Sequence, residues 1–447
     1  MSPKKRGSSK RPSHRKGLSG NPERRAIQLG QGTPGIGPGL LELARVMAGG
    51  AAPAPWWADS HEQILARARS LSWPPDPAGV EALTCQIVGD ELFDRLEKQS
   101  GGFHLTGWLC DLIKATGTAV RDAVAAGSED WPQFWALLRG LMLTAPDEVG
   151  DFPGIESPLE VARAVAEKTA ALLPGSQSSW TPGARPAGEP MLARDTYGSR
   201  FLFTVPFGYP DGDDVPVDHW YAWDIDLCWI DMALNAGVFG SAEDALKEWS
   251  DATGPAATAS ALAPCPEDMI PVLLYPFLES GPFAEAIQGG EPRPLMREYY
   301  RLRRRAREIT AKAEVKVFDP DRMVKEFSSW YRTRHGEIPD TVRDAAATIA
   351  DHWGPHRCPD ERTFRACSPH RIRQAAVLIR NLYLADDANQ AVRLLPEWTQ
   401  WCIDTTGLTG PAAERALQTA TAEAADLVEG TYKPAGLDDT EPFRIRE

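Results

Sequence analysis

Hydrophobic residues recur three or four positions apart through most of this chain, and every second position in one short part of it. The helical spacing covers Leu40–Ala48, Ser60–Ser70, Gly79–Gln99, Phe103–Ala126, Trp131–Thr144 and Ser157–Leu173, which predicts a helical region over residues 40–174. Ser157 with Pro158 behind it reads as an N-cap followed by a first-turn proline. The run Pro174–Pro190 is rich in Gly, Ser and Pro and reads as a linker over 175–190.

The pattern then changes period. Tyr197–Phe207 is dense in Phe and β-branched residues and predicts a strand. Gly208, Pro210, Asp211, Gly212, Asp213 and Asp214 supply a turn. His219–Leu227 alternates, with Tyr221, Trp223, Ile225 and Leu227 on one face and Trp220, Ala222, Asp224 and Asp226 on the other. Trp229–Phe239 is a third strand, with a helical turn over Met232–Ala236 as the competing reading. Ser241 followed by Asp244 approximates a capping box and starts a helix that ends before Thr253-Gly254-Pro255. Residues 191–292 are thus expected to hold a β-β-β-α unit, with short proline-punctuated pieces after it.

Leu295 onward is strongly amphipathic. Leu295, Tyr299, Leu302, Ala306, Ile309 and Ala313 share one face, while Arg297, Arg301, Arg304, Arg305 and Lys312 share the other. Residues 293–318 read as a basic connecting helix and 319–430 as a bundle of about five helices, with tails at 1–39 and 431–447. The expected fold class is mainly α, with a small α+β centre and helical regions on both sides.

Composition narrows the class. A hydrophobic share of 43% and a charged share of 25% suffice for sizeable cores. The longest apolar runs, such as Ile270–Leu278, are far short of a membrane span. Seven scattered cysteines and no apolar leader predict reduced thiols in a cytoplasm, and no membrane partner. Charge is segregated. The net charge is −14, yet residues 1–25 hold nine basic side chains and the single acid Glu23, leaving the remainder at −22. A polyanion is attracted to such a leader and repelled by most of the body.

Three groups of residues bear candidate chemistry. Lys4, Lys5, Arg6, Lys10, Arg11, Arg15 and Lys16 in the disordered leader, together with Arg297, Arg301, Arg304, Arg305 and Lys312, are candidate nucleic-acid contacts. The competing readings are a solubilising tail, and a helix whose arginines pair with the acidic body or bind a partner. Asp224 and Asp226 lie roughly 7 Å apart at two residues' rise, which suits a divalent metal or acid–base work with His219. The bland alternative is a solvated strand face whose acids oppose edge pairing. Third, His352, His356, Cys358, Cys367 and His370 are zinc-ligand types close in sequence, in an order that matches no standard zinc module. Zinc or another divalent metal is the cofactor that these two sets would admit.

Two segments carry a resemblance. The basic start ending in Gly20-Asn-Pro-Glu-Arg-Arg-Ala26 resembles the opening of many actinobacterial proteins. Arg194–Phe201, His219–Asp226 and Gly237–Leu246 resemble hypothetical proteins of that group. The resemblance implies an actinobacterial origin, in keeping with abundant Ala, Arg, Pro and Gly, and it implies no activity. The expectation that follows is a cytoplasmic, non-enzymatic binding or accessory protein that contacts nucleic acid. The alternatives are a metal-dependent hydrolase at Asp224 and Asp226 and a protein-interaction scaffold built on Trp-rich helical surfaces.

Overall fold

The computed structural model describes residues 55–74, 76–98, 105–147, 156–173, 183–210, 215–228, 232–280, 292–310, 319–354 and 361–427. The leader, residues 40–54 and the final tail lie outside them, as does most of the linker. The described chain divides into two compact units. One is built from residues up to Thr310 together with 361–366, the other from 319–354 and 367–427.

The larger unit opens with α1 (Trp56–Arg69), α2 (Pro77–Lys98), α3 (Leu105–Ala125), α4 (Trp131–Thr144) and α5 (Pro158–Ala170). Each sits within one of the predicted helical stretches or close to its ends. Ser157 precedes α5 in extended conformation, but its hydroxyl makes no cap bond. It lies 3.1 Å from Asp147 Oδ1 instead, so Pro158 alone marks the helix start.

The sheet has six strands among the described residues: β1 (Arg185–Pro186), β2 (Met191–Arg194), β3 (Arg200–Gly208), β4 (His219–Asp226), β5 (Met232–Phe239) and β6 (Ala263–Pro264). Its order is β5-β4-β3-β2-β6, with β1 paired to β3 off that path, and every pairing is antiparallel. The three long strands are the expected ones. Met232–Ala236 belongs to β5, so its alternative reading as a helical turn gives way to ladder pairing with β4. β1, β2 and β6 are too short to show a period, and two of them contain proline.

Alternation on β3 and β4 assigns the two faces. Phe201, Phe203, Val205, Phe207, Tyr221, Trp223 and Ile225 join one large core with Trp57 and Ile64 of α1, Leu112 of α3 and Leu138 of α4. Helices and sheet therefore share a single core, where the sequence suggested a helical domain joined by a linker to a separate sheet unit. Leu202 and Ala222 point the other way, into a small core with Ala193, Ala245, Trp249 and Ala257. That face is covered by α6 (Ala242–Thr253), where Ser241 Oγ accepts from Asp244 N at 3.1 Å, as the capping pattern predicts.

The large face is covered by α7 (Ile270–Ser280) and α8 (Pro292–Thr310). Leu295, Met296, Tyr299, Tyr300, Leu302 and Ala306 of α8 are all in the main core. Helix α8 is thus an interior member of the larger unit. It runs against α2 so closely that a Cβ at Gly89 would stand 2.3 Å from Arg297 Cα and 2.4 Å from Met296 O. Gly140 makes a similar approach, of α4 to Thr84 on α2.

The smaller unit contains α9 (Pro320–His335), α10 (Asp340–Trp353), α12 (Pro369–Leu382), α13 (Ala385–Thr406) and α14 (Gly410–Ala425); the four-residue α11 (Glu361–Phe364) goes with the larger unit. Gly336, Gly407 and Gly410 stand at the breaks with positive φ of 85°, 71° and 65°. The core is aromatic: Phe327 lies 5.1 Å from Trp398 and 5.8 Å from Trp401, and Trp353 lies 5.9 Å from Trp398. Trp330 and Tyr331 of α9 are half-buried. No helix of the described residues is long and apolar enough to cross a membrane.

The contact of α2 with α8 gives the first prediction. Gly89→Ala places a methyl group against backbone that has no rotamer to yield, so urea unfolding should show a loss of about 1–3 kcal/mol. An unchanged midpoint would mean that the two helices separate freely.

Candidate functional site

Asp224 and Asp226 lie on the face of β4 beneath α6, and both are buried. They do not form a solvated strand face. Arg200 of β3, paired in register with Asp226, reaches diagonally to Asp224 and holds both its oxygens, Nε to Oδ1 at 2.9 Å and Nη2 to Oδ2 at 2.6 Å. Trp249 of α6 donates to the same Oδ1 at 3.1 Å. The arrangement is a bidentate, charge-assisted clamp. Asp226 Oδ1 accepts from Cys228 N at 2.6 Å.

A third carboxylate adjoins them. Asp195, in the turn between β2 and β3, accepts from Ser199 N at 2.7 Å and Arg200 N at 3.1 Å. Burial raises its carboxyl to about 6, the charge of Asp226 adds to the rise, and the backbone N–H groups oppose it. Burial raises Asp224 as well, against the pull of Arg200.

His219 does not join this group. It opens β4 opposite Phe207, five residues before Asp224 and on the other face by alternation. The strand rise puts it roughly 16 Å from Asp224. The expected histidine–carboxylate constellation is therefore not assembled. A narrow crevice beside Asp224, lined by Asn235, Phe239, Glu248 and Trp249, reaches a carboxylate whose two oxygens are already engaged.

The arginines of α8 are also largely inside. Arg305 is fully buried, bonds Glu81 Oε1 of α2 at 2.8 Å, and lies 5.4 Å from the Phe207 ring and 5.6 Å from the Tyr221 ring. Tyr209 donates to the other Glu81 oxygen. Burial disfavours the Arg305 charge, but Glu81, Tyr221, Glu308 and Tyr209 together outweigh it and the guanidinium is held more firmly protonated than usual. Arg301 is buried and paired with Glu298. Arg304 pairs with Glu308 and donates to Ala145 O at 2.8 Å. Arg297 bonds Asp90 at 2.7 Å and stays partly exposed. Lys312 lies outside the described residues. The helical wheel separates arginines from apolar residues, but α2, α4 and the sheet enclose most of both faces.

Of the five zinc-type residues, His356 and Cys358 lie outside the described residues. His352 ends α10 with Nε2 3.2 Å from Tyr383 Oη. His370 stands on the first turn of α12, Nε2 3.2 Å from Gln374 Nε2. Cys367 is buried, which pushes its thiol up to about 12, so a metal there would have to displace a firmly held proton. Ser368 Oγ accepts from Arg371 N at 3.1 Å and caps α12. Lys4, Lys5, Arg6, Lys10, Arg11, Arg15 and Lys16 lie outside the described residues. The sequence reading missed Glu81, Asp195, Arg200 and Trp249. The turn at Gly198 hints at the register that sets Arg200 beside the aspartates, whereas Glu81 and Arg305 stand 224 residues apart with no local signal.

No family model, no curated protein and no solved structure matches this chain. The reading of its chemistry rests on the geometry above.

Two outcomes are expected. Glu81→Ala leaves the Arg305 charge buried without its partner and should cost about 3–5 kcal/mol in urea unfolding, while Glu81→Leu combined with Arg305→Met should recover most of that loss. A double variant no better than the single one would place the cost elsewhere. Asp195 binds its proton more tightly folded than unfolded. Its contribution to stability is complete below about pH 4 and is lost as pH rises through about 6. Asp195→Asn keeps an acceptor for the two N–H groups, so it should flatten the stability profile over that window and raise stability at pH 7.5 by at most about 3 kcal/mol. Parallel profiles for the variant and the native protein would contradict this.

Proposed function

We propose that this is a cytoplasmic, non-enzymatic binding protein that holds nucleic acid through its basic leader. The observation that carries the reading is charge segregation, nine basic side chains and one acid in residues 1–25 set before a remainder at −22. Such a leader offers its cations to phosphates, which makes the contact salt-sensitive, while the body's negative charge opposes the polyanion and keeps the contact easily reversed.

The body supports the non-enzymatic part. Asp224, Arg301 and Arg305, the side chains with the strongest claim to chemistry, are all engaged by neighbours within their own unit. Metal-dependent hydrolysis at Asp224 and Asp226 has less support, because Arg200 and Trp249 already take up the Asp224 oxygens. Among the described residues no disulfide joins the cysteines, and all but Cys265 are buried, in keeping with a reducing compartment.

The test is a mobility-shift titration of duplex and single-stranded oligonucleotides with the full-length protein. A second full-length chain carries Gln at Lys4, Lys5, Arg6, Lys10, Arg11, Arg15 and Lys16. The native protein should bind at low salt and weaken on a log–log slope of about 0.9 per duplex phosphate contacted. The Gln chain should bind at least ~100-fold more weakly, as loss of several phosphate contacts requires. Equal binding by the two chains, or binding indifferent to salt, would overturn the proposal.

A further inference from the structure

One cluster in the larger unit has more cation than its partners neutralise. Arg67 in the last turn of α1 and Arg293 and Arg297 at the start of α8 converge on Asp90 of α2. Arg297 Nε is 2.7 Å and Arg293 Nη1 3.5 Å from Oδ1, and Arg67 Nη2 is 3.3 Å from Oδ2. Arg293 also meets Asp94 at 2.8 Å. Three guanidinium groups thus share two carboxylates. The Asp90 side chain is 12% exposed, whereas those of Arg67, Arg293 and Arg297 are 41%, 37% and 40% exposed.

Several features make this more than a solvated ion network. Each guanidinium has five N–H donors, and the bonds to Asp90, Asp94 and the Ile87 carbonyl occupy a minority of them. The Arg293 guanidinium lies 4.1 Å from the Phe93 ring centroid, which limits its freedom before any ligand arrives. The first turn of α8 contains no acid, and its peptide dipoles add positive potential at the same place. Burial works to raise the Asp90 carboxyl, yet its bonds to Arg297 and Arg67 hold it below the ordinary range, so it stays charged and keeps the arginines gathered. The opposite imbalance lies around the helix, where Arg95 faces both Glu91 and Asp59. The surface therefore presents a localised positive site and not a general basic field.

We propose that Arg67, Arg293 and Arg297 form an oxyanion site for a phosphate group. The site belongs to the folded body and stands apart from the leader. Arg forks match the tetrahedral oxygens of phosphate, and a doubly charged oxyanion would reverse the surplus that Asp90 and Asp94 leave. The phosphate comes either from a small phosphorylated molecule or from a nucleic-acid strand already held by the leader.

The experiment uses the full-length chain with the seven leader residues changed to Gln, which leaves Arg24 and Arg25 as the leader's remaining cations. Inorganic pyrophosphate is titrated by calorimetry at constant ionic strength set with sodium chloride. Saturable binding near one per chain is expected, weakened at least about tenfold by Arg293→Ala with Arg297→Ala. Asp94→Asn releases Arg293 without touching the core and should tighten binding a few-fold, which keeps the test open if the double variant fails to fold. Labelled oligonucleotide on the same chain separates the sources. Residual binding that Arg293→Ala with Arg297→Ala removes assigns the site to nucleic-acid phosphate, and pyrophosphate binding alone assigns it to a small phosphorylated ligand. No saturable heat with pyrophosphate, or affinity unchanged by the Arg293, Arg297 and Asp94 substitutions, would overturn the proposal whatever the leader does.

Discussion

The ion pair between Arg305 and Glu81, sealed from water, is the constraint around which the larger unit is arranged. A guanidinium in that position is tolerable only with its counter-charge and its remaining faces accounted for. Glu81 supplies the charge, Phe207 and Tyr221 supply ring faces, and Tyr209 donates to the second carboxylate oxygen. Those groups come from α2, α8, β3, β4 and the residue that follows β3. Helices far apart in the chain are therefore locked to one end of the sheet, and Gly89 allows the backbone approach that brings α2 and α8 into range. Such a pair adds little net stability compared with an apolar replacement, but it penalises any other register of the helices on the sheet.

A second ionic knot closes the opposite face of the sheet. Arg200 gathers Asp224, with Asp195 and Asp226 close enough to influence one another's ionisation. One cation faces three buried carboxylates, and burial above all makes Asp195 and Asp224 hold their protons more tightly than usual. The cluster resembles an acid–base site in its residue types only. Its oxygens are committed to the hairpin turn, to Arg200 and to the indole that anchors α6. The body thus uses charge to fix its own geometry, and the interactions offered to outside partners fall to the leader and to the half-exposed arginines around Asp90.

The sequence displayed much of the fold. Period-2 alternation in β4 correctly assigned Tyr221, Trp223 and Ile225 to the large core and Ala222 and Asp224 to the other face. Ser241 and Asp244 marked the start of α6. These features are local: each depends on neighbours a few residues away, where periodicity, caps and turns act. The candidate chemistry was less legible. A helical wheel showed arginines opposite apolar residues on α8 but not that a second layer, α2 and α4, covers them. Asp224 and His219 looked adjacent because five residues is a short distance in sequence and a long one along an extended strand.

By itself, then, the sequence determined the mainly helical class, the long strands and their faces, the placing of most helices and the separation of a cationic leader from an anionic body. Each follows from short-range chemistry and from composition. Only the tertiary structure decided that helices and sheet share one core, that α8 is an interior helix, and which charges meet. Arg305 with Glu81, Arg200 with Asp224, and three arginines around Asp90 are long-range pairings. They follow from how whole elements pack, and no spacing along the chain encodes them.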